Sequence, residues 1–311
     1  MASYNTVEMR YASSDGKNTV YSRIYMPACG KARAVVQLVH GMVDHIGRYT
    51  VLAEYLCARG YALAGNDHLG HGYTASSEDD LGFFASRGGA DIVIEDVRLF
   101  NERLHAQFGN TPIFMLGHSM GSFIARLYAC EHPRTIRGLI IHGTGGANPL
   151  VPLGRVLVRM LRIVRGDKHR SRTVSSMAFG SYNKRFPGEG VNAWLSRDGE
   201  MIASKLNDRY GSFTFTLAGY SDLFKLISRS NSRRFYREYP TSMPTLIVSG
   251  NMDPVGNYGK GVEQVYKKLC LGGRSRVELK LYDGARHELF NEINREEVFS
   301  DICDFLEGCG G

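Results

Sequence analysis

The chain has 311 residues, 43% of them hydrophobic and 22% charged, with a formal net charge of +7. This is long enough for one large domain with an insertion. No run of about 18 apolar residues occurs, which excludes a membrane-spanning helix, and there is no repeat or low-complexity tract.

Met1 to Met26 is polar and mixed, without the apolar stretch of a secretory signal. A β-hairpin is expected around Ser13-Ser14-Asp15-Gly16. From Ala34 to His142 strands and helices then alternate, as in a doubly wound parallel sheet. Ala34-Val35-Val36-Gln37-Leu38-Val39 is a strand followed by His40-Gly41-Met42. After Ala90, Val93, Val97, Phe100, Leu104 and Phe108 share one helical stripe, a pattern of core packing. Ile113-Phe114-Met115-Leu116 is the strand that runs into Gly117-His118-Ser119-Met120-Gly121, and an apolar helix opens at Phe123-Ile124-Ala125. Between residues 146 and 240 the alternation stops and helix formers, arginines and aromatics take over. Thr245 to Gly250 reads as a buried parallel strand and Val277 to Tyr282 as another, before a final helix.

Strand, tight turn and helix around Ser119 form a nucleophile elbow, which pushes a serine hydroxyl beyond the strand end. A serine needs a histidine base and a carboxylate to orient it. In the α/β-hydrolase fold both follow late strands, in the order serine, acid, histidine. Asp253 follows the strand ending at Gly250, and His287 follows the one ending at Tyr282. These are the expected acid and base. The Met120 amide opens the helix after the serine and the Met42 amide lies beyond an early strand, so these two are the expected oxyanion donors. Asp222 reads better as a helix N-cap, Asp283 as a turn former beside Gly284, and His118 as packing. His40, His45, His68 and His71 have ring nitrogens suited to a metal. They lie in Gly-rich loops rather than on one helical face, so neither metal nor cofactor is expected.

Five ordered motifs carry a resemblance. They are His40-Gly41-Met42-Val43-Asp44-His45-Ile46-Gly47-Arg48-Tyr49, Asn66-Asp67-His68-Leu69-Gly70-His71-Gly72, the elbow, Gly250-Asn251-Met252-Asp253-Pro254-Val255, and Gly284-Ala285-Arg286-His287-Glu288-Leu289-Phe290-Asn291-Glu292. With them the chain resembles the monoacylglycerol lipase and lysophospholipase group of α/β-hydrolases, which shares its pattern with the serine aminopeptidase family. The resemblance implies the triad Ser119, Asp253 and His287, and an α/β fold with a mostly parallel central sheet. The core is expected over 1–145 and 241–311, with a helical cap inserted at 146–240. Asp44 stands where the family often has Glu, and Leu69 where a basic residue is common; both are expected near the pocket rim.

Residues 151–240 carry 17 Lys and Arg against 7 Asp and Glu, and the rest of the chain 21 against 24, so the positive charge lies in the cap. Leu153, Val156, Leu157, Met160, Leu161 and Val164 fall at helical spacing with Arg155, Arg159 and Arg162 on another face. Two readings fit: a lid making transient contact with an anionic membrane surface, or a helix whose apolar face covers an acyl pocket while its arginines are solvated. The second is favoured, because a lid over an acyl site must be apolar beneath. No nucleic-acid module is recognised. Cys29, Cys57, Cys130, Cys270, Cys303 and Cys309 lack metal spacing and read as free thiols of a cytoplasmic protein. The expected activity is hydrolysis of a single-chain acyl lipid ester through an acyl-enzyme. An aminopeptidase or amidase of the same family, and an idle binding protein on the same fold, are the alternatives.

Overall fold

The computed structural model of the chain describes residues 4–273 and 276–311. Its eight strands are β1 (Tyr4–Ala12), β2 (Thr19–Pro27), β3 (Ala34–Val39), β4 (Tyr61–Asn66), β5 (Ile113–His118), β6 (Gly138–His142), β7 (Thr245–Gly250) and β8 (Val277–Tyr282). They form one sheet in the order β1-β2-β4-β3-β5-β6-β7-β8. The hairpin β1–β2 is antiparallel and meets β4 antiparallel, and every later neighbour is parallel. Strands β3 to β7 are buried along their whole length, as a parallel sheet with both faces covered requires.

The period of two along each strand divides the core. Val35 and Val39 of β3 face one cluster, while Ala34, Val36 and Leu38 face the other. The first cluster is closed by α2 (Gly89–Phe108), α3 (Met120–Glu131) and α9 (Lys260–Cys270), the second by α1 (Thr50–Ala58) and α10 (Arg295–Gly308). The stripe Val93, Val97, Phe100 and Leu104 is fully buried in α2, with Phe108 packed at its edge.

Between β6 and β7 the chain leaves the sheet. It builds α4 (Val151–Arg165), α5 (Arg172–Phe179), α6 (Gly199–Asn207), α7 (Leu217–Ser230) and α8 (Arg233–Glu238). Helix α7 lies against α2 and α3 on one side and α4 on the other. Arg126 of α3, fully buried, donates to the Ser230 carbonyl at the C-terminal end of α7, where the helix dipole favours a cation. Asp222 does cap a helix, but not its own. Thr216 starts α7, and Asp222 reaches across to accept from the Ala90 amide in the first turn of α2, 3.0 Å away. The N-cap expected of Asp222 at the start of its own helix falls to Thr216, and Asp222 serves a different helix through a tertiary contact.

Helix α4 differs from expectation. Val151 and Val158 are buried and Leu157 and Leu161 pack against the core, but Leu153, Val156, Met160, Ile163 and Val164 face outward. The helix therefore has two apolar sides, because α7 occupies the place beneath it. No helix among the described residues is long and apolar enough to cross a membrane.

The turn from β5 into α3 fixes the geometry of everything at the carboxyl edge. A Cβ on Gly121 would overlap the carbonyl oxygen of Val39, and one on Gly117 would press on Gly121 and Ala125. Gly199, at the first position of α6, has open space around it. Gly121→Ala is therefore expected to cost about 3 kcal/mol or more, lowering Tm by roughly 6–12 °C in thermal unfolding. Gly199→Ala should be neutral or stabilise by up to about 1 kcal/mol. Equal Tm values for the two variants would contradict the close-approach account.

Candidate active site

Ser119 caps α3 with φ +52 and ψ −118, a strained conformation for a residue with a side chain. The strain aims its hydroxyl away from the sheet. Helix α3 and the strand end hold it there: the Ser119 amide donates to the His142 carbonyl at 2.9 Å, and its own carbonyl accepts from Ser122 Oγ at 2.6 Å.

The loops after β7 and β8 bring two other groups to this hydroxyl. His287 Nε2 lies 2.8 Å from Ser119 Oγ, and His287 Nδ1 lies 2.9 Å from Asp253 Oδ2. A carboxylate only accepts, so Nδ1–H donates to Asp253, and Nε2 is left to accept the serine proton. Asp253 is fully buried, and its other oxygen accepts from the Val255 amide at 2.8 Å. Met42 and Met120 line the same cavity as Ser119, so the structure brings all five expected site residues to one place. Asp283 lies apart, bound to Asn251 Nδ2 at 2.7 Å.

The cavity has a volume of about 580 Å³. Phe179 from α5, Tyr220, Leu223 and Ile227 from α7, Phe213 from the preceding loop, and Trp194 make its apolar wall. No residue of α4 lines it, so that helix does not roof the pocket. Asp44 and Leu69 do not line it either; both are buried, Asp44 against Arg48 and Tyr49 and Leu69 in the core.

Two features behind the triad had no sequence signal. The first is a column of rings: Trp194 over His287 at 5.1 Å, His118 at 5.0 Å beyond, His142 at 4.4 Å and Phe290 at 4.2 Å. His118 packs, as expected, but against the catalytic candidate itself. Only the register of β5 on β6, which pairs His118 with His142, brings them together. The second is a charge network. Glu288 meets Arg48 at 2.9 Å and Lys205 at 2.9 Å, and Arg48 also meets Asp44 at 3.0 Å. Burial raises the Glu288 pKa, but Arg48 and Lys205 outweigh it and hold the carboxyl well below the usual range.

The loop histidines serve the backbone. His40 Nδ1 donates to the Gly41 carbonyl at 2.8 Å, and its Nε2 accepts from the His68 amide at 3.0 Å, tying the β3 and β4 loops together. His45 instead pairs with Asp208 at 2.7 Å. No group of three or more His, Cys, Asp or Glu among the described residues is placed to hold a metal ion.

Residues 30–294 match the model of the family described as serine aminopeptidase, S33. A monoacylglycerol lipase of Mycolicibacterium smegmatis is 26% identical over 317 residues, covering 98% of this chain and 99% of that protein. Among solved structures, a highly thermostable carboxyl esterase from Bacillus coagulans in complex with glycerol has a TM-score of 0.91 at 31% identity, covering 98% of this chain and 99% of that one. A lipase in its open form has a TM-score of 0.90 at 27% identity, covering 99% and 100%.

Burial holds His68 and His142 down at about 3 and His71 at about 4, and pushes His40 and His118 well below 6.5. In the unfolded chain all five take a proton near 6.5. Between that pH and the native values the unfolded state binds more protons, so stability falls as pH falls. At pH 5 His68, His142 and His71 cost about 2 kcal/mol each, roughly 6 in sum, and His40 and His118 act in the same direction. Asp67 and Asp222, raised by burial to about 6, return part of this. Total stability is of order 5–15 kcal/mol, so acid unfolding is expected near pH 5, read from circular dichroism and Trp194 fluorescence. A midpoint below pH 4 would mean that the histidines do not resist protonation in the native fold.

Proposed function

The chain belongs to the serine aminopeptidase S33 family and is a serine hydrolase of the α/β-hydrolase fold, and from that premise we propose that it cleaves single-chain acyl lipid esters, monoacylglycerols or lysophospholipids, through an acyl-enzyme on Ser119. The observation that carries this reading is the Ser119–His287–Asp253 chain of hydrogen bonds at the floor of a cavity with an apolar wall. A monoacylglycerol lipase among the relatives, matched end to end, supports the substrate class.

In the proposed reaction His287 Nε2 takes the hydroxyl proton as Ser119 Oγ attacks the ester carbon. The carbonyl oxygen becomes an oxyanion facing the Met42 and Met120 amides. Its collapse breaks the bond to the alcohol, which leaves with the proton from Nε2. Water then attacks the acyl-serine, with His287 again moving the proton, and the fatty acid departs. Asp253 holds the imidazole and stabilises its charged form.

A peptide N-terminus would call for a free carboxylate in the pocket. Glu288 is the one acidic residue lining the cavity among the described residues, and it is neutralised by Arg48 and Lys205. This disfavours an aminopeptidase. Ser119→Ala should lower kcat for a monoacylglycerol by about 10³-fold or more with Tm unchanged, and abolish labelling by a fluorophosphonate. A variant that keeps a tenth of the activity would point to another nucleophile, and a folded wild-type protein that takes no label would be a binding protein.

The segment at 146–240 is proposed as the cap, and its outer surface as a lipid-docking face. Leu153, Met160, Ile163 and Val164 are between 54% and 80% exposed, beside Arg155 and Arg159. An interfacial helix has this character: an apolar stripe bordered by cations. Wild-type protein should co-sediment with anionic vesicles at low salt. Removing Arg155 and Arg159 should weaken binding by about 1 kcal/mol each, while turnover of a soluble acetate ester stays constant. Protein that remains in the supernatant with anionic lipid would leave the arginines as a merely solvated face.

A further inference from the structure

Val43 is the one β-branched residue among the described residues whose backbone stands in the left-handed region, at φ +54. It follows Met42, whose amide is the proposed second oxyanion donor. Such a conformation persists only when its surroundings over-determine it. On the far side the chain is anchored at Asp44, which binds the His45 amide at 2.9 Å, Tyr49 Oη at 2.6 Å and Arg48 at 3.0 Å. The carbonyl of Val43 itself is held from outside the core. It accepts from Lys205 Nζ at 3.1 Å.

Lys205 lies in the last turn of α6 and is 8% exposed. A desolvated ammonium requires a counter-ion, and Glu288, the neighbour of His287, supplies it. Just past the helix, Asp208 grips His45 at 2.7 Å. One helix end therefore holds the oxyanion loop at two points, residues 43 and 45, and meets the loop of the base through Glu288. If Val43 relaxed to negative φ with Asp44 fixed, the preceding peptides would turn, and the Met42 N–H with them.

We infer that Lys205 is a positioning residue: by clamping the Val43 carbonyl it keeps the oxyanion loop in the strained form that aims the Met42 amide at Ser119. The inference rests on the reading of Ser119 as nucleophile and of Met42 as oxyanion donor. It makes part of the proposed catalytic geometry the property of an inserted helix, which adds its hold on the Val43 carbonyl to the anchoring at Asp44.

The test uses the 311-residue chain with p-nitrophenyl acetate, which has no glyceryl group, and with a soluble monoacylglycerol. Loss of one oxyanion donor costs about 10²–10³ in kcat, so misaiming it through Lys205→Met should cost about 10- to 100-fold. The loss should be alike on both substrates with KM within about twofold, the pattern of an interaction made only in the transition state. Glycine adopts φ +54 without strain, so the same substitution in a Val43→Gly background should cost at least about threefold less. Unchanged kcat, a KM increase confined to the monoacylglycerol, or strictly additive effects of the two substitutions would each overturn the inference. If Lys205→Met does not fold, Asp208→Asn loosens the other grip on the loop from a half-buried position. It should lower kcat without raising KM, and wild-type kcat there would count against the proposal. Ser119→Ala run alongside separates the levels: activity in that variant defeats the nucleophile assignment, whereas an inactive Ser119→Ala with a fully active Lys205→Met defeats the positioning role alone.

Discussion

The site depends on three places where a side chain is missing. Without a Cβ at Gly121 the start of α3 lies against the end of β3, and without one at Gly117 the elbow closes tightly enough to force Ser119 to φ +52. Gly41 completes the set, since a Cβ there would stand 3.1 Å from the His118 ring and 3.2 Å from Ser119 Cβ. The loop that carries Met42 thus passes over the serine at contact distance. Backbone packing, which cannot relax as a side chain does, puts Ser119, Met42 and Met120 in one place.

Around this rigid point the protein arranges its charges by burial. The floor under His287 is a stack of histidines kept neutral because charging them in an apolar interior is costly. The His287 ring itself is held by its hydrogen bonds to Asp253 and Ser119. The ions that do exist beside the site come as a closed set, Asp44 and Glu288 against Arg48 and Lys205. No member can be removed without stranding another, which makes the set a source of order rather than of net stability.

Much of this was legible in the chain because it is local. The elbow is a contiguous strand, turn and helix. Asp253 and His287 each follow a strand whose apolar run marks its end, and β3, β7 and β8 begin and end where their residues suggested. What escaped is non-local. Lys205 and Glu288 are 83 positions apart and meet only because α6 turns back over the β8 loop. Trp194 lies in an irregular stretch with no periodicity to place it against His287. Helix α4 misled in an instructive way: its apolar residues cover most of its circumference, and spacing alone cannot say which half α7 will take.

The parallel pairing of β6 with β7 across the long insertion has a consequence for biosynthesis. Ser119 precedes His287 by 168 residues, and Asp253 and His287 are seated only when β7 and β8 have joined the edge of the sheet. At about 5–20 residues per second, Ser119 is synthesised roughly ten to thirty seconds before His287. The nascent chain therefore carries Ser119 without its hydrogen-bonding partner until β7 and β8 have joined the sheet.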